Sequence, residues 1–220
     1  MKLEVIAKDL QDIIEINKST ADRIEFCSEL EVGGLTPDRK DIIKAGEISK
    51  LPVNVMLRPT ARDFYYTDAE FEQMVEDAKF IDQTKVAGVV VGIITPNGEI
   101  NVERMKKIIA LVGNKTITFH KAFEQLKDPI KSLSILKELG VKTVLTSGKL
   151  NINESFDLLK DLTNQKQIII LAGGGVDFSN INKIVSIVNE VHVGTAVRES
   201  KSWNVPISIA KINEMKKHLL

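Results

Sequence analysis

Eight short β-branched runs alternate with longer amphipathic stretches, one pair about every 25–30 residues, and this alternation predicts an α/β fold with a parallel sheet. Eight complete units within 220 residues fit a single closed (β/α)8 TIM barrel of minimal length, residues 1–220 forming one domain. An open doubly wound sheet is the alternative, but it needs a reversal of strand order and usually has fewer units. No linker, low-complexity segment or charge block interrupts the pattern.

The elements follow in order. Lys2–Ile6 reads as the first strand and Arg23–Cys27 as the second. Thr36-Pro37 places a capping hydroxyl before a proline at the first helical position. Val53–Leu57 is the third strand. Thr67-Asp68-Ala69-Glu70 is a capping box opening a helix with Phe71, Met74, Val75 and Ala78 on its apolar face. Val86–Val91 and Thr116–His120 are strands four and five. Asp128-Pro129 starts a helix that runs to Leu139 and stops at Gly140. Thr143–Thr146 is strand six, followed by a helix starting at Asn153 or Asn151. Ile168–Ala172 is strand seven, with a helix from Ser179. Glu190–Val193 is strand eight, and a last helix spans Pro206 to Leu219.

Composition narrows the function classes. Hydrophobic residues at 43% and charged residues at 27% exclude intrinsic disorder. Thirty Lys and Arg balance thirty Asp and Glu, leaving no surplus of positive charge to bind nucleic acid by bulk electrostatics. The longest apolar runs are strand-sized, well short of the ~20 residues that cross a bilayer. Glu4 interrupts the short apolar run of Met1–Lys8, so no secretory signal is expected there. Cys27 is the one cysteine, which excludes an internal disulfide and a cysteine-only zinc site. The expectation is a soluble cytoplasmic protein with no nucleic-acid or membrane partner.

Function is written in the strand faces. Side chains alternate along a strand, so Ile24 and Phe26 oppose Arg23, Glu25 and Cys27. Val53, Val55 and Leu57 oppose Asn54, Met56 and Arg58; Ile117 and Phe119 oppose Thr116, Thr118 and His120. Val191 and Val193 oppose Glu190 and His192, and Leu3 and Val5 oppose Glu4 and Ile6. In a barrel the apolar set must meet the helices, so the polar set points inward. A charge there is costly unless it is paired and hydrogen-bonded. Glu4, Arg23, Glu25, Arg58, His120 and His192 therefore imply an internal network or a liganded cavity. Arg23 and Glu190, near the strand starts, also suit plain structural pairing. Arg58, His120 and Cys27 lie at the C-terminal strand ends, where barrels carry their active sites.

The loops on that face add candidates. Arg58 and Arg62, with Asp63 and the aromatics Phe64, Tyr65 and Tyr66, can grip and cover an anion; a surface loop held by an Arg62–Asp63 pair is the alternative. His120 suits general acid or base work and Lys121 suits charge neutralisation. Ser147 follows strand six, the triple glycine Gly173, Gly174, Gly175 follows strand seven, and Gly194 follows strand eight. Barrels frequently seat phosphate on the last two of these loops. Gly33-Gly34 reads as a mobile loop at the same mouth. The residues alone point to an enzyme or sensor for a small anionic metabolite, phosphorylated or carboxylated, with Glu25 and His120 as the acid–base pair and Glu4 orienting them.

Several motifs resemble those of the CutC copper-homeostasis proteins. They are Ala21-Asp22-Arg23-Ile24-Glu25-Phe26-Cys27, Gly33-Gly34-Leu35-Thr36-Pro37, Arg58-Pro59 with Arg62-Asp63-Phe64-Tyr65-Tyr66, Thr118-Phe119-His120-Lys121-Ala122-Phe123, Leu145-Thr146-Ser147-Gly148 and Ala172-Gly173-Gly174-Gly175-Val176. They span most of the chain in the family's order. The resemblance implies a cytoplasmic TIM barrel that binds copper and forms homo-oligomers. Lys121 stands where the family usually has arginine, and Ile6-Ala7 stands where many relatives carry cysteines. The soft copper ligands left by the resemblance are Cys27 and Met56, with His120 as a third.

Overall fold

The computed structural model describes residues 1–149 and 151–220. Its eight parallel strands are β1 (Lys2–Ala7), β2 (Arg23–Phe26), β3 (Val53–Met56), β4 (Gly88–Val91), β5 (Thr116–Phe119), β6 (Thr143–Thr146), β7 (Ile169–Ala172) and β8 (Glu190–Val193). They pair in sequence order, and β8 closes on β1, with Lys2 beside Glu190 and Glu4 beside His192. The helices are α1 (Leu10–Ile16), α2 (Arg39–Ile48), α3 (Asp68–Asp82), α4 (Val102–Leu111), α5 (Pro129–Glu138), α6 (Phe156–Asn164), α7 (Ile181–Ile184) and α8 (Ile209–Lys217). This is the (β/α)8 barrel the alternation predicts.

The capping signals explain most helix starts. Thr67 and Glu70 form the reciprocal capping box of α3, and Asp128 caps α5 ahead of Pro129. Gly140 takes φ +83° just past α5, a conformation that ends a helix at little cost to glycine. Thr36-Pro37 behaves differently from its expected role. The α2 helix begins at Arg39, and the Thr36 hydroxyl instead ties the loop after β2 to the loop after β3 by donating to the Arg58 carbonyl and accepting the Arg58 N–H. The α7 helix is a single turn from Ile181, and α8 starts at Ile209 rather than at Pro206. Asn151 caps a 3-10 turn, Ile152–Glu154, which precedes α6.

Burial bears out the two faces. Leu3, Val5, Ile24, Phe26, Val53, Val55, Ile117, Phe119, Val191 and Val193 join one apolar layer with helix residues such as Ile13, Ile42, Met74 and Ile212. Cys27, Met56 and Val90 form a separate small cluster with Leu30 inside the barrel. Of the charged strand residues, Glu4, Glu25, Glu190 and His192 are buried as well, Arg23 is half-buried and Lys2 is exposed. Cys27, Arg58 and His120 lie just past β2, β3 and β5, at the rim of the C-terminal end.

Candidate active site at the barrel mouth

An enclosed network runs up the barrel axis. Glu4 on β1, wholly buried, accepts from Arg23 Nε and from Asn54 Nδ2 (3.3 Å) on one oxygen and faces His192 Nδ1 at 2.8 Å with the other. The second arm of Arg23 reaches Glu190 at 2.8 Å. Burial opposes ionisation of Glu4, but the His192 hydrogen bond and the Arg23 charge overcome it and hold the carboxyl at about 2. On the other side of the imidazole, His192 Nε2 lies 3.7 Å from Glu25 Oε2. His192 is raised in spite of burial, because two carboxylates flank it. Glu25 moves up instead, chiefly because burial penalises its charge. Its Oε2 accepts from the Cys27 thiol at 3.3 Å, and its Oε1 has no partner among the described residues.

These groups open onto a cavity of about 320 Å³, the size of a small-metabolite site. Ile6, Leu30, Met56, Phe64, Leu145 and Trp203 supply apolar wall, while Glu25, His192, Arg58, His120 and Lys121 supply polar groups. His120 is 2% exposed, and its Nδ1 accepts the Ala122 backbone N–H at 3.2 Å. The neutral ring therefore carries its hydrogen on Nε2, which has no partner among the described residues. Burial, reinforced by the neighbouring Arg58 charge, pushes His120 down to about 3. The ring is thereby kept neutral, with Nε2–H as a donor. Gly92 makes room for it, since a Cβ there would lie 2.6 Å from His120 Nδ1.

The structure redistributes the expected anion ligands. Arg58 is 6% exposed and gives its two Nη groups to the carbonyls of Val32 (3.3 Å), Gly34 (3.2 Å) and Ala61 (3.2 Å). It holds the Gly33-Gly34 loop against the mouth, and only its Nε is left without a partner among the described residues. The bidentate clamp expected of Arg58 and Arg62 is thus corrected. Arg62 is absent from the cavity wall and is bound to Asp63 and Glu70 in its own exposed loop. Ser147 also lies off the wall, donating its hydroxyl and N–H to Glu124 at 2.8 Å each. Gly173 packs under Leu145 and His192, and its N–H donates to Thr146. Gly174 and Gly175 do face the cavity, at φ +79° and +114°; Gly174 lies close to the Lys121 ammonium, which is 3.5 Å from Glu124, and Gly175 lies against Ile152. Among the described residues no acceptor meets the N–H groups of Gly174, Gly175 and Val176. These successive N–H groups are left available to a ligand at the cavity. Gly194 faces the cavity too, but its missing side chain makes room for Trp203 and Ile6.

Sequence reasoning placed His192 inside the barrel without giving it a role, and it missed Asp177, Lys201 and Trp203 on the wall. The alternation of β8 was the available signal for His192. The other three lie in loops, where no periodicity announces them.

Two donor sets are candidates for a metal. One ligand atom from each of Glu4, Glu25 and His192 lies within 4.8 Å of the others. However, both Glu4 oxygens are already taken by Arg23, Asn54 and His192, so the cluster is an ion-pair network as it stands. Cys27 and Met56 are neighbours inside the barrel, as a Cu(I) site would require. Burial and the adjacent Glu25 raise the Cys27 thiol well above its ordinary range, so Cu(I), which takes the thiolate, would have to displace a proton held more firmly than usual. With the His120 Nδ1 engaged by Ala122, the expected set of Cys27, Met56 and His120 does not fit Cu(I) in this arrangement.

The closed eight-stranded barrel, with a buried Glu–His–Glu network beneath the cavity at its C-terminal mouth, places the chain in the TIM-barrel class. The CutC family model matches residues 1–197, and the chain belongs to the CutC family. A CutC family protein of Serratia proteamaculans is 37% identical over 195 residues, covering 87% of this chain and 77% of the relative. A solved CutC from Streptococcus agalactiae, described as a copper homeostasis protein, superposes with a TM-score of 0.83 at 30% identity, over 88% of this chain and 98% of that one. Orotidine 5'-monophosphate decarboxylase from Methanocaldococcus jannaschii shares the fold alone, with a TM-score of 0.68 at 19% identity over 99% and 98% of the two chains. Among the described residues no helix is long and apolar enough to cross a membrane.

Proposed function

We propose that the chain is an enzyme that moves a proton on a small anionic, phosphorylated metabolite bound in the barrel mouth. The observation that carries this reading is the His192 ring, fixed between Glu4 and Glu25 where Glu25 meets the cavity. Glu4, held ionised, fixes the ring through Nδ1, as a carboxylate orients a histidine in many active sites. The charged imidazole stabilises the Glu25 carboxylate. Glu25 takes a proton from the substrate, and the negative charge left on a substrate oxygen is met by the neutral His120 Nε2–H, a donor that gives up no proton. The N–H nest at Gly174–Val176, with Lys121 beside Gly174, holds the phosphate or carboxylate end.

A screen of anionic metabolites for turnover tests the proposal. Glu25→Gln keeps the shape of the side chain and removes the base, so it is expected to cut kcat by about 10²–10⁴-fold with the fold intact. Undiminished turnover in the variant contradicts the assignment. Ligand binding with no turnover in the wild type moves the reading to a metabolite sensor using the same pocket.

Copper handling, the role named for the Streptococcus agalactiae relative, is the second reading. The shared wall of Cys27 and Met56 favours it, and the protonated thiol opposes it. On the enzyme reading, Cu(I) titration gives equal affinities for wild type and Cys27→Ala. A tenfold or greater loss, about 1.4 kcal/mol, would establish the copper site instead.

A further inference from the structure

Residues 198–220 lie beyond the part of the chain that matches the family, and the segment 199–206 folds over the mouth. Arg198 and Ile207 pair as an antiparallel bridge, so the segment leaves and returns at one place. Its base is firmly fixed. Arg198 is fully buried, ion-paired to Asp12, and donates to the Val205 carbonyl at 2.9 Å. Lys211 binds the carbonyls of Arg198 and Glu199, and Lys8 donates to the Trp203 carbonyl at 2.8 Å.

The side chains that the segment turns to the cavity are held differently. The Trp203 ring forms part of the cavity wall, with the Arg198 guanidinium 5.0 Å from its centroid. It lies so close over Gly194 that a Cβ there would come within 2.4 Å of the ring. Lys201 sits at φ +53°, a left-handed conformation that non-glycine residues adopt at a cost. Its ammonium meets Asp177, 2.7 Å away on the neighbouring loop after β7, and its side chain is 62% exposed. Both Lys201 and Asp177 line the cavity, as do Gly174 and Gly175 with their unpartnered N–H groups. A single exposed ion pair is a weak restraint, and an anion arriving on the nest competes directly with Asp177 for the ammonium.

We infer that segment 199–206 sets the ligand specificity of the mouth, with Trp203 packing the apolar part of the ligand and Lys201 leaving Asp177 to join the anion on Gly174–Val176. The inference rests on the anion seat proposed above. It narrows the ligand class to an anion with an apolar or planar body, because a bare oxyanion leaves the wall formed by Trp203 and Phe64 without a partner.

Trp203 is the only tryptophan, so intrinsic fluorescence reads this segment directly. The probes are phenyl phosphate, inorganic phosphate and phenol, titrated into wild type, Lys201→Ala and Trp203→Leu, with thermal shift as the readout that all three share. Phenyl phosphate is expected to change Trp203 emission and to bind wild type about tenfold more tightly than either variant. Inorganic phosphate is expected to lose affinity in Lys201→Ala and to ignore Trp203→Leu. Equal binding of phenyl phosphate to all three proteins, with unchanged emission, overturns the inference and leaves the anion seat standing. If neither phosphate stabilises the wild type, the seat and the inference fall together.

Discussion

Between about pH 7 and pH 4.5, the wild-type protein is expected to lose about 3 kcal/mol more stability than a His120→Asn variant. The cause is the depressed titration of His120, which burial and Arg58 push down to about 3. The unfolded chain takes up a proton at this histidine near the ordinary value of about 6.5, while the folded chain does not, so acid favours unfolding. The contribution is fully present above about 6.5 and disappears as pH falls towards 3, at about 1.4 kcal/mol per unit. Glu4 adds a separate loss that begins only below about 4.5 and is common to both proteins. Asparagine keeps an acceptor for the Ala122 N–H, so the turn Lys121–Gln125 retains its cap. Denaturant unfolding across this pH range measures the difference. Parallel stability curves would show that His120 is not buried as a neutral ring.

Asp12→Ala is expected to lower stability by about 3–5 kcal/mol, the usual consequence of leaving a buried charge without its partner. Arg198 is the largest side chain in the core with no exposure, and Asp12 is its counter-charge. Asp12 also accepts the Lys8 N–H at 2.9 Å, so alanine removes a second bond from the same corner. Because Arg198 anchors the segment that carries Trp203, the loss is expected to appear in tryptophan emission as well as in the unfolding midpoint. Asp12→Asn, which keeps an acceptor and loses the charge, is expected to fall between the two. A cost below about 1 kcal/mol for alanine would mean that the pair is solvated and that the segment is held by other contacts.

The fold and the content of the barrel were legible in the sequence because of one physical constraint. A parallel strand buried on both faces has no reason to carry Arg23, Glu25 or His192 unless those groups meet one another, and the alternation tells which side they share. The same logic gave the capping box at Thr67, whose partners are three residues apart. What was not legible depends on contacts distant in sequence. Glu4 and His192 are 188 positions apart, and their proximity decides which histidine is charged. His120 and His192 look alike as strand-end imidazoles, yet one faces Arg58 and a backbone N–H while the other faces two carboxylates. Arg62 offered a plausible anion ligand until Glu70, eight residues on, proved to occupy it. Trp203 sits in a stretch with no period at all.

Direct titration of the histidine rings by NMR tests the central claim that the polar strand faces converge in a water-poor barrel interior. The chain has three histidines, and the His120→Asn variant assigns one buried ring by difference. His192 is expected to remain protonated above the ordinary histidine range, with its Nδ1 proton bound to Glu4, and His120 to remain the neutral Nε2–H form well below that range. If both rings instead titrate near about 6.5, as solvated imidazoles do, the network is open to water and the proton-transfer site built on it does not exist.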